Sequence, residues 1–198
     1  MNDAPGVDTA LTSSFSARVW RRIRPHFGTV ATVLVVFFGV HLWQTRDIPT
    51  GPAPELAFTW LSPDGSRSET TLAAWRAQFP GQAIAVHVWA EWCPVCKLEE
   101  HSVHRVAADH PVLTIAMQSG PADAVAQVLR QRRLPWHTAV DARGQLALAL
   151  GVKAVPAFLV IDAQGQLRSA SVGYTSELGM RWRLWWANAI LKVNRLLV

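Results

Sequence analysis

Cys93 and Cys96 are the only cysteines in the 198 residues, three positions apart at the end of the apolar run Val86-His87-Val88-Trp89. Sulfurs so placed can bind a metal, close a crosslink or exchange electrons. Chance brings two cysteines this close in about one case in a hundred, so the spacing itself points to use. A structural zinc site needs about four Cys or His ligands, and neither a second CxxC nor an HxxxH partner at finger spacing is present. A crosslink over so short a loop removes little entropy from the unfolded chain. Cycling between dithiol and disulfide is the chemistry that this pair suits best.

Composition allows one well-packed domain with an appendage. Half of the residues are hydrophobic and ten are tryptophan, so a core can form without structural crosslinks. The net charge of +5 says little about partners, because four arginines, Arg18, Arg21, Arg22 and Arg24, cluster just before an apolar segment. That placement reads as membrane topology and not as nucleic-acid binding, which would spread basic residues over a folded face.

The apolar segment runs from Phe27 to Trp43 without Lys, Arg, Asp or Glu. Its length is at the lower edge of what crosses a bilayer core as a helix. Arginines on the N-terminal side keep that side in the cytoplasm and send the rest across. Trp43 stands where an interfacial aromatic would, and His41 is near enough to the end to reach headgroups. No small-x-small cleavage site follows directly, which favours an uncleaved anchor over a signal peptide; with either, the domain is exported to where disulfides persist. The expected organisation is a cytoplasmic tail over 1–25, an anchor over 26–44, a linker over 45–55 and a folded domain over 56–198. Thr50-Gly51-Pro52-Ala53-Pro54 reads as a semi-rigid spacer lifting the domain off the bilayer.

The elements that must position the cysteines alternate between β and α patterns. Strands are expected over 56–61, 83–89, 112–116, 137–140, 157–161 and 167–172. Helices are expected over 72–79, from the cysteines onward, and over 122–132, 146–150 and 177–197. Asp162-Ala163-Gln164-Gly165 joins the last two strands as a hairpin. Such interleaving gives an α/β fold, a mixed sheet with helices on both faces.

Trp89-Ala90-Glu91-Trp92-Cys93-Pro94-Val95-Cys96-Lys97 resembles the active-site segment of the thioredoxin superfamily, in which a strand runs into WCxxC and then a helix. Gly151-Val152-Lys153-Ala154-Val155-Pro156-Ala157-Phe158 is similar to that fold's proline-containing strand entry. The anchor, the spacer and Glu99 three residues after Cys96 point to the membrane-tethered TlpA-like branch. Gly173-Tyr174-Thr175-Ser176-Glu177 with Arg181-Trp182-Arg183-Leu184-Trp185 looks like the tail of its suppressor-for-copper-sensitivity protein D subgroup. The resemblance covers about residues 52–198.

It implies a thioredoxin fold in which Cys93, at a helix N-terminus, is the attacking thiolate and the more buried Cys96 resolves the mixed disulfide. Pro94 is tolerated in the first helical turn because its missing N–H would lack a partner there anyway. Trp92 would form a lip beside the site, with Pro94 and Val95 also facing the substrate chain. Pro156 would follow a cis bond, and the backbone of Val155 would pair with a bound polypeptide as an added strand does. Strand alternation puts His87 on the face of Ala85 and Trp89, beneath Cys96, where it either takes the resolving thiol's proton or is a hydrogen-bonded core histidine. Glu91 and Glu99 flank the site as proton relays or, more commonly, solvated charges. His101 occupies a position where many relatives carry a kinking proline, and with His104 and the thiols it offers a weak copper set. Trp182, Trp185 and Trp186 are expected to pack on the sheet, with a bilayer contact as the alternative.

The expected function is that of a protein-disulfide oxidoreductase held at the bacterial inner membrane with its domain in the periplasm. It would act on periplasmic proteins containing cysteines and would be kept reduced by a membrane-embedded thiol–disulfide interchange protein. The domain itself needs no cofactor and no metal. A disulfide-introducing oxidase shares the same residues, and a copper-binding tolerance module is the non-enzymatic alternative.

Overall fold

The computed structural model describes residues 28–36, 39–40, 45–46 and 48–196. The arginine cluster, His41 and Trp43 lie outside the described residues. The chain forms two units, residues 1–43 and 44–198. In the first, residues 28–36 and 39–40 are helical, with Val30, Val33, Leu34, Val35, Val36 and Val40 exposed. Among the described residues no helix is long and apolar enough to cross a membrane.

In the second unit, the run Ile84–Trp89 is buried at every position. An uninterrupted apolar strand is stable only where both faces are covered, and this one, β4, lies inside an eight-stranded sheet. The strands are β1 (Gly51–Pro52), β2 (Ala57–Leu61), β3 (Arg67–Thr71), β4, β5 (Val112–Met117), β6 (His137–Asp141), β7 (Ala157–Ile161) and β8 (Gln166–Val172). Their order is β1-β8-β7-β4-β5-β6-β2-β3. β4, β5 and β6 are parallel and every other pairing is antiparallel. The helices are α1 (Leu72–Arg76), α2 (Pro94–Asp109), α3 (Ala122–Arg132), α4 (Gln145–Ala149) and α5 (Glu177–Leu196).

Alternation along β4 divides the core in two. Ala85 and Trp89 face one cluster, filled by Val103 and Val106 of α2, Val125 and Leu129 of α3, and Met180 and Leu184 of α5. Ile84, Val86 and Val88 face the other, with Leu72 and Trp75 of α1 and Ala147 of α4. Helices therefore cover both faces, a thioredoxin-like layering with a mixed central sheet.

Two strands depart from the sequence expectation for one reason. β3 reads Arg67-Ser68-Glu69-Thr70-Thr71, with no apolar alternation, because it is an edge strand paired only with β2 and largely exposed. The expected spacer is partly strand: Gly51 and Pro52 pair with Leu167 and Gln166, and the Ala53 N–H donates to the Gly165 carbonyl at 2.8 Å. This stretch docks on the sheet where a semi-rigid spacer was expected. Proline is acceptable there because an outermost strand leaves one side of its backbone unpaired.

The β7–β8 hairpin is fixed by Asp162, whose carboxylate accepts the Gln164 and Gln166 N–H groups at 2.9 and 2.8 Å and pairs with Arg168 at 2.5 Å. Replacing Asp162 with Ala leaves two backbone donors and a cation short of a buried acceptor. A loss of about 2–3 kcal/mol in urea unfolding is expected; a loss within error would show that water satisfies those groups equally well.

Candidate active site

β4 ends at Trp89, and four residues later, at Cys93, the chain turns into α2. Cys93 is the N-cap of α2, in extended conformation, and Pro94 occupies the first turn. The first N–H groups of a helix have no acceptor within it. Here the Cys96 N–H points at Cys93 Sγ, 3.1 Å away. Cys93 and Cys96 are joined as a disulfide. Both are almost fully buried, at 3% and 1% exposure, so Cys96 is the more enclosed by a small margin only. A negative charge on Cys93 would be stabilised by that N–H and by the dipole of a sixteen-residue helix.

Across from the sulfurs, the Val155–Pro156 peptide is cis. The Val155 carbonyl oxygen lies 3.8 Å from Cys93 Sγ. Pro156 is buried and Val155 is half-buried. Trp92 is 57% exposed and donates its indole N–H to the Gln118 carbonyl at 3.1 Å, which holds the ring as a lip over the site. Pro94 and Val95 are exposed beside it. The structure thus brings together Trp92, Cys93, Pro94, Val95, Cys96, Val155 and Pro156.

Sequence reasoning missed the opposite wall, the β5–α3 loop. Ser119 there accepts the Glu91 N–H at 2.9 Å, and Gln118 has a left-handed backbone, φ +48°. The signal available was Gln118-Ser119-Gly120-Pro121, turn chemistry placed directly after a strand.

The two carboxylates flanking the site differ. Glu91 is exposed. Glu99, one turn beyond Cys96 on the inward face of α2, is 1% exposed, which corrects the solvated reading. One of its carboxylate oxygens accepts the Thr175 N–H, and the other meets no partner. Burial raises its pKa to about 7, and the Thr175 hydrogen bond offsets part of that. Cys96 and Glu99 both face inward on α2, three positions apart, a spacing at which Cβ atoms lie about 5–6 Å from one another.

His87 points to the same side of the sheet, with ring centroids 6.0 Å from Trp136 and 6.5 Å from Phe158. A hydrogen bond with the Ala157 backbone offsets part of the burial, although neither ring nitrogen has a partner in close hydrogen-bonding geometry. Burial lowers its pKa to about 3, so the ring stays neutral at neutral pH and is a poor proton acceptor there. The expectation that His87 takes the resolving thiol's proton is corrected on that ground: a fully buried imidazole among aromatic rings cannot afford the charge.

A sheet of this layering, with a CxxC pair capping the helix after its central strand and a cis-proline loop against the sulfurs, defines a thioredoxin-like protein-disulfide oxidoreductase. The Redoxin family pattern matches residues 52–180, and the chain belongs to that family. It is 31% identical over 150 residues to the thiol:disulfide interchange protein DsbE of Allochromatium vinosum, covering 73% of this chain and 79% of that protein. It is 33% identical over 95 residues to a DsbE homologue of Paracoccus denitrificans, covering 48% of this chain and about half (52%) of that one. The exposed lipoprotein thioredoxin Etrx1 of Streptococcus pneumoniae superposes with a TM-score of 0.56 at 18% identity, over 66% of this chain and 99% of its own, a likeness of fold alone.

Glu99 and His87 predict opposite pH effects on stability. The folded domain binds the Glu99 proton more tightly than the unfolded chain does, so Glu99 costs stability as pH rises from about 4.5 to about 7. The advantage of Glu99→Gln over wild type should grow across that window, by up to roughly 3 kcal/mol. His87 contributes the reverse: its stability is full above the unfolded value of 6.5 and is lost as pH falls toward about 3. His87→Leu should remove that acid-side loss. Urea unfolding at a series of pH values measures both, and parallel curves for variant and wild type would refute the assignment.

Proposed function

We propose that this chain is a membrane-tethered, periplasm-facing thiol–disulfide oxidoreductase that delivers electrons to disulfides of exported proteins. Residues 1–25 form its cytoplasmic tail, 26–44 its anchor, 45–55 the junction and 56–198 the catalytic domain. The arginines preceding the apolar run support this orientation in the inner membrane. The observation that carries the chemistry is Cys93 Sγ at the mouth of α2, with the Cys96 N–H aimed at it and the Val155 carbonyl alongside.

In the reduced protein the Cys93 thiolate attacks one sulfur of a substrate disulfide. A Cys93–substrate bond forms, and the second substrate sulfur leaves as a thiolate that takes up a proton. Cys96 then loses its proton to the Glu99 carboxylate and attacks Cys93 Sγ. The Cys93–Cys96 bond forms, the substrate departs as a dithiol, and two electrons have passed to it. Glu99 suits this step because its pKa of about 7 lets it accept and return a proton near neutral pH. Pro156 shapes the loop that presents Val155, whose backbone pairs with the substrate chain as an added strand. Trp92, Pro94 and Val95 supply the exposed face on which that chain rests. A membrane-embedded dithiol donor returns the two electrons.

His101 and His104 are both exposed, and among the described residues neither belongs to a group of three or more His, Cys, Asp or Glu, so they add no ligands to the two sulfurs.

Cys96→Ser should accumulate a mixed disulfide between Cys93 and a model substrate, and Cys93→Ser should form none. Glu99→Gln should slow release of that mixed disulfide and shift its pH dependence upward. The potential of the pair sets direction: a value near about −270 mV fits electron delivery, whereas one near about −120 mV would replace it with disulfide donation. Mixed disulfides trapped on Cys96 alone would overturn the assignment of roles.

A further inference from the structure

α5 has two apolar faces. Met180, Leu184 and Ala187 are buried against the sheet and α2. Leu178, Trp182, Trp185 and Trp186 recur at the spacing of one helical stripe on the opposite side, with 78, 58, 55 and 51% exposure. The three indoles lie against one another, Trp182 being 5.0 Å from Trp185 and 6.3 Å from Trp186 between ring centroids. They do not pack on the sheet, as the sequence suggested. Three adjacent exposed tryptophans need a partner surface to explain them.

Their place in the domain identifies the partner. The chain enters the folded unit at Thr45–Thr50, where Ile48 is buried and this segment lies along Leu167–Ala170 of β8. Arg183, next to Trp182 on α5, donates to Ser169 Oγ at 2.5 Å on the same stretch of β8. The aromatic stripe therefore borders the entry point. Only Gln44 separates Thr45 from Trp43, the end of the apolar run, and such a link spans about 7 Å when fully extended. If that run lies in a bilayer, the entry point lies at the bilayer surface. From residue 178 to 198 the sequence holds Arg181, Arg183, Lys192 and Arg195 and no acidic residue. Arg181 is paired with Glu177 and Asp109, which leaves the excess positive charge to the others. Indole rings favour the headgroup region, and the charge complements anionic lipid.

We propose that the outer face of α5 is a membrane-contact surface. The proposal rests on the anchor reading above and adds an orientation to it. α5 begins beside Thr175, which bonds Glu99, and reaches the start of β4 at Asn188, whose side chain accepts the Ala83 N–H. It thus runs alongside β4 in the reverse direction. A domain resting on this helix lies on its side, with the Cys93–Cys96 end held at the height of the headgroups. Lying down keeps the sulfurs within reach of a donor embedded in the same membrane.

The test uses the full chain in vesicles of phosphatidylethanolamine and phosphatidylglycerol, with and without acyl-brominated lipid. With Trp20→Phe and Trp43→Phe in place, tryptophan fluorescence reports on the folded domain. Brominated lipid should quench a clear fraction of it, and adding Trp182→Phe, Trp185→Phe and Trp186→Phe should abolish that fraction. Carbonate washing checks the anchor separately. Quenching absent from carbonate-resistant protein overturns the contact while the anchor stands, as does quenching that survives the triple change. Protein stripped by carbonate overturns the anchor and, with it, the premise of this inference. Burial of the three indoles that depends on protein density instead of lipid would assign the face to a second copy and overturn the proposal.

Discussion

The first turn of α2 contains N–H groups that the helix cannot satisfy, and the chain places a sulfur in front of them. That placement depends on β4, which delivers the chain to this point from the middle of the sheet and is buried at every position. A helix mouth on a mobile loop would offer the same dipole without holding a second sulfur and a carbonyl at fixed distance. The rigid core therefore does its part in the chemistry by fixing where a small local electrostatic advantage is felt.

Two titratable groups are buried on the face of the sheet that carries the cysteines, and the protein treats them differently. His87 is enclosed by aromatic rings and stays neutral. Glu99 is held by one backbone N–H and keeps an unpartnered oxygen, so it titrates near neutrality. On the proposed mechanism only the second can move a proton. For His87 the Ala157 backbone is the one polar group that offsets its burial.

The antiparallel pairings around β7 and β8 order the domain from end to end. Gly51 and Leu167 lie level with the start of β4, and Ala157 and Val172 lie level with its end beside the sulfurs. The segment before β1 runs along β8 beside Leu167–Ala170 and reaches the end of the sheet remote from the chemistry at Gly51.

Much of this was legible locally. The CxxC spacing, the apolar run of β4, the Asp162 hairpin and the helix from Ala122 to Arg132 each follow from residues close together in sequence, where periodicity, caps and turn chemistry act. Edge strands β1 and β3 were not legible, since exposure removes the apolar alternation that marks a strand. Nor could the sequence set the burial of Glu99, the neutrality of His87 or the exposure of the α5 tryptophans. Each depends on which side of an element faces the core once distant segments pack, as when Thr175 closes over Glu99 from across the fold. Residue type and spacing determined what chemistry was available; solvent exclusion by tertiary packing decided which groups keep a charge and which faces remain open.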